Sequence, residues 1–156
     1  MHTLFIEMED QMNVQELELA EMWSETDSER GVRVNFPITL DTGAASTTVV
    51  YFEVPPHKHL GMHTDSAEEI VYVAAGQGEA IIGDERAPVK AGSLALIPSM
   101  VPHDVVNTGD EPLRVVGFFS SATVLTTFED AFAPLDANVL LSPPALAPAK
   151  LEAVAA

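Results

Sequence analysis

Five histidines stand in this chain of 156 residues, and His57, His59 and His63 fall within seven positions. His63 opens the run His63-Thr64-Asp65-Ser66-Ala67-Glu68-Glu69. In extended chain, alternate side chains point to one side, so His63, Asp65 and Glu69 share a face. One imidazole and two carboxylates would then address a single interior point. Both groups are ordinary ligands for divalent first-row metals. Taken alone, a His-rich turn reads as solvated surface, because most polar side chains sit outside. The segment from Gly92 through Pro98 and His103 to Asn107 shifts that reading. It carries one imidazole on a distant strand, behind a glycine and a proline at defined intervals. His59 shares the parity of His63, but Pro55-Pro56 and Gly61 imply a bend between them. His57 and His59 therefore fit the rim of a site better than its interior.

The elements that must position these groups are short. Strand-like runs are expected at 32–40, 47–54, 69–75, 79–82, 93–97, 103–107 and 113–120, with one more at 123–128. Asp41-Thr42-Gly43, Gly83-Asp84 and Thr108-Gly109-Asp110 supply turn residues, and Pro55-Pro56 and Pro98 stop ladders. No amphipathic helix separates consecutive strands, which argues against a βαβ fold and for an antiparallel sandwich or barrel. The length favours one domain. We expect an N-terminal arm over 1–31, a barrel over 32–128 and a tail over 129–156, with a short helix behind Pro148.

Composition narrows the function. Seven Lys+Arg against 24 Asp+Glu leave a net charge of −17. Such a chain repels nucleic acid and anionic lipid, so neither is an expected partner. There is no Cys, which removes disulfides, thiolate metal sites and Cys nucleophiles. The first residues are acidic and no Lys or Arg precedes Arg30, unlike a signal peptide, so a cytoplasmic location is expected.

The spacing around the histidines resembles that of a small single-domain cupin. The first motif of that family reads G-x5-H-x-H-x3,4-E-x6-G. Here His57 stands at the first glycine, then come His63, Asp65 in place of the second His, Glu69 and Gly76. The second motif reads G-x5-P-x-G-x2-H-x3-N. Gly92, Pro98, His103 and Asn107 match it, and Met100 replaces the inner glycine. The resemblance implies an all-β, double-stranded β-helix (jelly-roll) barrel around one divalent transition metal: Mn, Fe, Co, Ni or Zn. By family position, His63, Glu69 and His103 would be ligands. Asp65 would bind directly, bind through water, or instead cap a local turn. Two imidazoles with two carboxylates make a harder ligand set than three imidazoles with one carboxylate, which leans toward Mn, Fe or Co.

The expected function is that of a metal-dependent enzyme, of oxygenase, isomerase or lyase type, acting on a small organic molecule. The alternative is a non-catalytic ligand-binding or sensing domain. Tyr72, Phe52 and Phe118 are expected in the core, Glu68 outside, and Arg33 and Arg114 in surface ion pairs. Leu4-Phe5-Ile6 reads as an edge-pairing segment that would make a homodimer.

Overall fold

The computed structural model describes residues 12–144. The expected arm segment Leu4-Phe5-Ile6 and the helix behind Pro148 lie outside them. The described chain folds into two six-stranded antiparallel sheets. One sheet has the order β1-β2-β3-β10-β5-β8, built from β1 (Ala20–Trp23), β2 (Gly31–Ile38), β3 (Thr48–Val54), β10 (Leu113–Phe119), β5 (Glu69–Ala75) and β8 (Leu94–Ile97). The other has the order β12-β11-β4-β9-β6-β7, from β12 (Ala137–Ser142), β11 (Val124–Phe132), β4 (His63–Asp65), β9 (His103–Asn107), β6 (Gln77–Ile82) and β7 (Glu85–Lys90). Between β3 and β11 the chain changes sheet at every connection except the β6–β7 hairpin. That alternation makes a jelly roll, with the core enclosed between the sheets.

The strands follow from period-2 patterning. In β5, Glu69, Val71 and Val73 are buried while Ile70, Tyr72 and Ala74 are exposed. β10 repeats this, with Leu113, Val115, Gly117 and Phe119 inside. Val54, Leu113, Val115 and Phe132 are almost wholly buried at the centre of the core. Phe52 belongs to this core, as expected, but Tyr72 and Phe118 do not. The pleat that turns Glu69 and Gly117 inward turns them outward, leaving 39% of Tyr72 and 45% of Phe118 exposed.

Four strands were not read from the sequence. β1 and β12 each join the edge of a sheet. β7 has polar, exposed residues and a proline, the composition of an edge strand. β4 is three residues long and shows little besides its ligand-type side chains.

Backbone conformation explains the motif glycines. Gly76 and Gly92 have φ of 89° and 94°. The two positions where the family motif has glycine and this chain does not, His57 and Met100, adopt φ of 62° and 64°. All four lie in the left-handed region, where a side chain is strained.

Candidate metal centre

β4 and β9 lie side by side, with His63 directly opposite His103. Their rings sit 4.0 Å apart, centroid to centroid. Each ring is fixed in the same way. His63 Nδ1 donates to Gly61 O at 2.8 Å, and His103 Nδ1 donates to Val101 O at 2.9 Å. A carbonyl can only accept, so Nδ1 carries the proton in both rings and Nε2 faces the interior.

Asp65 enters from the end of β4. Its Oδ1 accepts from Thr126 Oγ1 at 2.6 Å, across to β11. Its Oδ2 lies 3.0 Å from His103 Nε2 and 3.7 Å from His63 Nε2. Asp65 therefore does not cap a local turn through its side chain. Although close, Asp65 Oδ2 and His103 Nε2 are not aligned as acceptor and donor. Both are buried and find no hydrogen-bond partner. Buried polar atoms left unpaired at such proximity are costly unless a further group satisfies them. One ligand atom from each of His63, Asp65 and His103 falls within 4.8 Å of the others, so these three residues could hold a metal ion.

Glu69 reaches the same interior from the other sheet. Its Oε1 is 3.6 Å from His103 Nε2. The expectation that His63, Asp65 and Glu69 converge by alternation along one strand is corrected here. The chain crosses from β4 to β5 at residues 66–68, so Glu69 faces inward from the opposite wall. Gly117 makes room for it: a Cβ there would fall 2.2 Å from Glu69 Oε2. A glycine inside a strand can mark such a close approach, and this signal was present in the sequence.

The electrostatics follow from burial and crowding. Burial, then neighbouring His103, pushes His63 down to about 4. Burial works against a charged His103 too, but Asp65 and Glu69 outweigh it and push its pKa up to about 10. Burial also opposes the charge on Asp65, yet the two imidazoles and the Thr126 hydroxyl hold its pKa below the usual carboxylate range. Burial raises Glu69, and the Asp65 charge adds to the effect. Without a cation, the pocket can thus hold a proton among His103 and the carboxylates.

A second layer supports the loop before β4. His59 is not in the centre: its Nδ1 is 2.8 Å from Asp104 Oδ2 and its Nε2 is 3.0 Å from Asp27 Oδ2. Burial opposes protonation of His59, but Asp104 and Asp27 together raise its pKa. Asp104 Oδ1 accepts from Gly61 N at 2.8 Å, on the residue whose carbonyl orients His63. Arg30 Nε donates to Leu60 O at 3.1 Å, and its guanidinium lies 3.7 Å from the centroid of Phe132. A Cβ at Gly61 would fall 2.2 Å from Arg30 Nε. His57 sits outside, 2.8 Å from Asp110. Asp104, Thr126 and Arg30 carried no distinguishing spacing, since their roles arise from cross-strand register.

The cavity around the centre has a volume of about 50 Å³, room for a few waters. Its walls are largely apolar, including Met22, Val34, Phe36, Phe52, Phe119 and Leu140, and among the described residues no Lys or Arg lines it. Arg33 and Arg114 instead flank Glu53 on the outer face, at 3.1 and 3.6 Å.

Residues 50–119, which contain every residue of the centre except Thr126, match the family of the cupin domain. This segment is a cupin domain. The curated relatives include an uncharacterized protein of Methanocaldococcus jannaschii, 35% identical over 60 residues, covering 38% of this chain and 44% of that protein. Protein SchB of Streptomyces halstedii is 37% identical over 89 residues, covering 56% of this chain and 64% of SchB. The chain thus spans less than two-thirds of either relative. Among solved cupin structures, the oxalate decarboxylase of Lactobacillus farciminis superposes with a TM-score of 0.60 at 21% identity, covering 63% of this chain and 31% of that one. The polyketide cyclase RemF of Streptomyces resistomycificus gives 0.51 at 23% identity, covering 56% and 63%. These likenesses show the fold. Among the described residues, no helix is long and apolar enough to cross a membrane.

Proposed function

We propose that this cupin is a metal-dependent enzyme acting on a small organic molecule, with His63, Asp65, Glu69 and His103 holding one divalent transition metal. The observation that carries the reading is the pair of orphaned buried atoms, Asp65 Oδ2 and His103 Nε2, in a largely apolar pocket between two oriented imidazoles. A bound metal would supply Lewis acidity toward an oxygen of the substrate, and Mn, Fe or Co would suit two imidazoles and two carboxylates. The chain's own residues do the rest. The imidazoles stay aimed by their Nδ1 bonds, Thr126 orients Asp65, and the apolar walls exclude water. Glu69, whose pKa burial raises in the metal-free pocket, is the carboxyl group suited to hold a proton near the substrate when it is freed from the metal.

The lining favours one substrate type. Among the described residues a small dianion would find no Lys or Arg in the cavity wall, whereas a molecule with an apolar body and one polar oxygen would match the walls. Isomerase, lyase and oxygenase chemistry all fit such a molecule. The other reading is a ligand-binding or sensing domain, favoured by the absence of a base beyond the four proposed ligands among the cavity-lining residues. We place the protein in the cytoplasm as a homodimer, in keeping with its acidic, cysteine-free sequence and exposed apolar surface. The test is substrate screening on the metal-loaded protein against His103→Ala. Turnover that His103→Ala abolishes supports the enzyme. Saturable binding of a small molecule without turnover supports the sensing domain.

A further inference from the structure

His59 lies outside the metal centre, yet both of its ring nitrogens face a carboxylate. Nδ1 is 2.8 Å from Asp104 Oδ2 on β9, and Nε2 is 3.0 Å from Asp27 Oδ2 in the turn between β1 and β2. Each carboxylate is engaged on its other oxygen by backbone N–H groups. Asp104 Oδ1 accepts from Gly61 N and Val105 N at 2.8 and 2.7 Å, and Asp27 Oδ1 accepts from Glu29 N at 2.9 Å. Such bonds favour the ionised carboxylate, which can only accept. A neutral imidazole has one N–H, so it serves one of these acceptors and turns a lone pair on the other. The imidazolium alone satisfies both. Burial works against that charge, and the two carboxylates outweigh it.

We infer that the His59 imidazolium is a pH-dependent clasp that fastens one wall of the cavity to the strand carrying His103. That wall is β1 and β2, which contribute Met22, Val32, Val34 and Phe36 to the lining. Asp27 sits in the turn that joins them, and Asp104 follows His103 on β9. β2 and β9 belong to different sheets, so the clasp spans the sandwich. Backbone bonds hold the start of β2 independently: Gly31 N donates to His59 O at 3.1 Å, and His59 N donates to Glu29 O at 2.8 Å. Release is therefore felt in the turn and in β1, a four-residue edge strand whose buried residue is Met22. The clasp goes beyond the metal reading and does not depend on it.

The charges around His59 set the sign. Asp27 faces it from the turn and Asp104 from β9. Arg30, at the start of β2, is the opposing cation; its charge acts on both carboxylates, while its guanidinium donates to Leu60 O and Ala131 O. Asp130 of β11 stands beyond Arg30 and offsets it. Lys58, next in sequence, turns its Nζ to Ser28 O at 2.6 Å. With the pKa of His59 raised, the clasp is fully formed below pH 6.5, the ordinary imidazole value, and is lost as pH rises through the raised one. The neutral ring keeps its N–H on Asp104, whose side chain is 7% exposed and held by two backbone donors. It lets go of Asp27, whose side chain is 44% exposed. The turn is freed, and the bond from Gly61 to Asp104 stays.

Two readouts on the full chain, with and without added zinc, test the clasp. Nitrogen-15 resonance follows the His59 ring, and fluorescence follows Trp23, the sole tryptophan, which ends β1 just before the turn. At pH 6.5 both ring nitrogens of His59 should carry protons, with the titration midpoint above that value. Trp23 emission should move to longer wavelength at the same midpoint. His59→Gln, which cannot donate in both directions, should remove the step and hold the emission at its high-pH value. Asp27→Asn should lower the His59 midpoint by about one pH unit and hold the emission at its low-pH value, because an amide N–H can donate to the neutral Nε2. Should His59→Gln fail to fold, the wild-type titration and Asp27→Asn decide. A neutral His59 at pH 6.5, a titration that leaves Trp23 unmoved, or a step that persists in Asp27→Asn overturns the clasp.

Discussion

His103 is the residue on which the centre turns. It faces His63 across β4 and β9 and lies 3.0 and 3.6 Å from the two carboxylates that enter the pocket. In the metal-free protein those carboxylates push its pKa up to about 10, while His63 is pushed down to about 4 and stays neutral. A metal that binds at neutral pH must therefore displace one proton from His103. The sign follows: affinity rises with pH, by up to about tenfold per unit below pH 10, and one proton is released on binding. Calorimetry in buffers of different ionisation enthalpy measures that proton, and a pH-independent affinity between 6 and 9 contradicts it. Asp65 separates in the same way. Asp65→Ala should weaken binding of all metals, and Asp65→His should shift preference toward Ni and Zn relative to Mn. Equal affinity for every metal in Asp65→Ala would remove it from the centre. Away from the pocket, Met100 holds φ of 64° at a position that suits glycine. Met100→Gly should raise stability by about 0.5–1 kcal/mol, the relief of left-handed strain less the entropy glycine gives to the unfolded chain. Urea unfolding reads the change.

At the scale of elements, the centre depends on two walls held in register. Glu69 sits over Gly117, so Gly117→Ala should displace the Glu69 carboxylate and cost about 1–3 kcal/mol as an overpacked core position. Metal affinity should fall with it, whereas Gly92→Ala, with open space around its Cβ position, should leave affinity unchanged. The loop before β4 is the other support. Asp104 bonds Gly61 N and His59, and Gly61 O bonds His63. Asp104→Ala should weaken metal binding by about tenfold or more, the usual effect of losing an outer support of a ligand. Equilibrium dialysis distinguishes that loss from simple destabilisation, which thermal unfolding follows separately. These elements also show what the sequence could reveal. β5 was legible as a strand over 69–75, but its faces were not fully read, since Tyr72 was expected in the core and points outward. β4 was legible only as ligand spacing, since three residues carry no period. The convergence of Glu69 with Asp65 was anticipated through the wrong geometry, because parity along a strand is lost where the chain crosses between sheets. Thr126 and Asp104 reach the pocket and its support through cross-strand pairing, which local sequence does not encode.

For the whole molecule, the two sheets divide the work. Inner faces build the apolar-walled cavity, and the outer face of one sheet keeps an apolar surface on an otherwise acidic protein. The all-β class was legible from many short runs without intervening helix, and Gly83-Asp84 marked the turn after β6, although β7 beyond it was not read. Which aromatics face out was not, since Tyr72 and Phe118 differ from core aromatics only in register. Charge gives a prediction at this scale. With −17 on each chain, added salt should strengthen self-association by screening repulsion between copies while leaving apolar contact intact. A dimer that dissociates as salt rises would point to ion pairs instead. Inside the barrel, His63, Asp65, Glu69 and His103 are proposed to hold one metal ion together. The most direct measurement is elemental analysis of the full chain after exposure in turn to Mn, Fe, Co, Ni and Zn and removal of unbound ion. About one equivalent of at least one metal per chain is expected in the wild type and almost none in His103→Ala, with the fold retained. No stoichiometric metal in the wild type, or equal metal in both proteins, contradicts it.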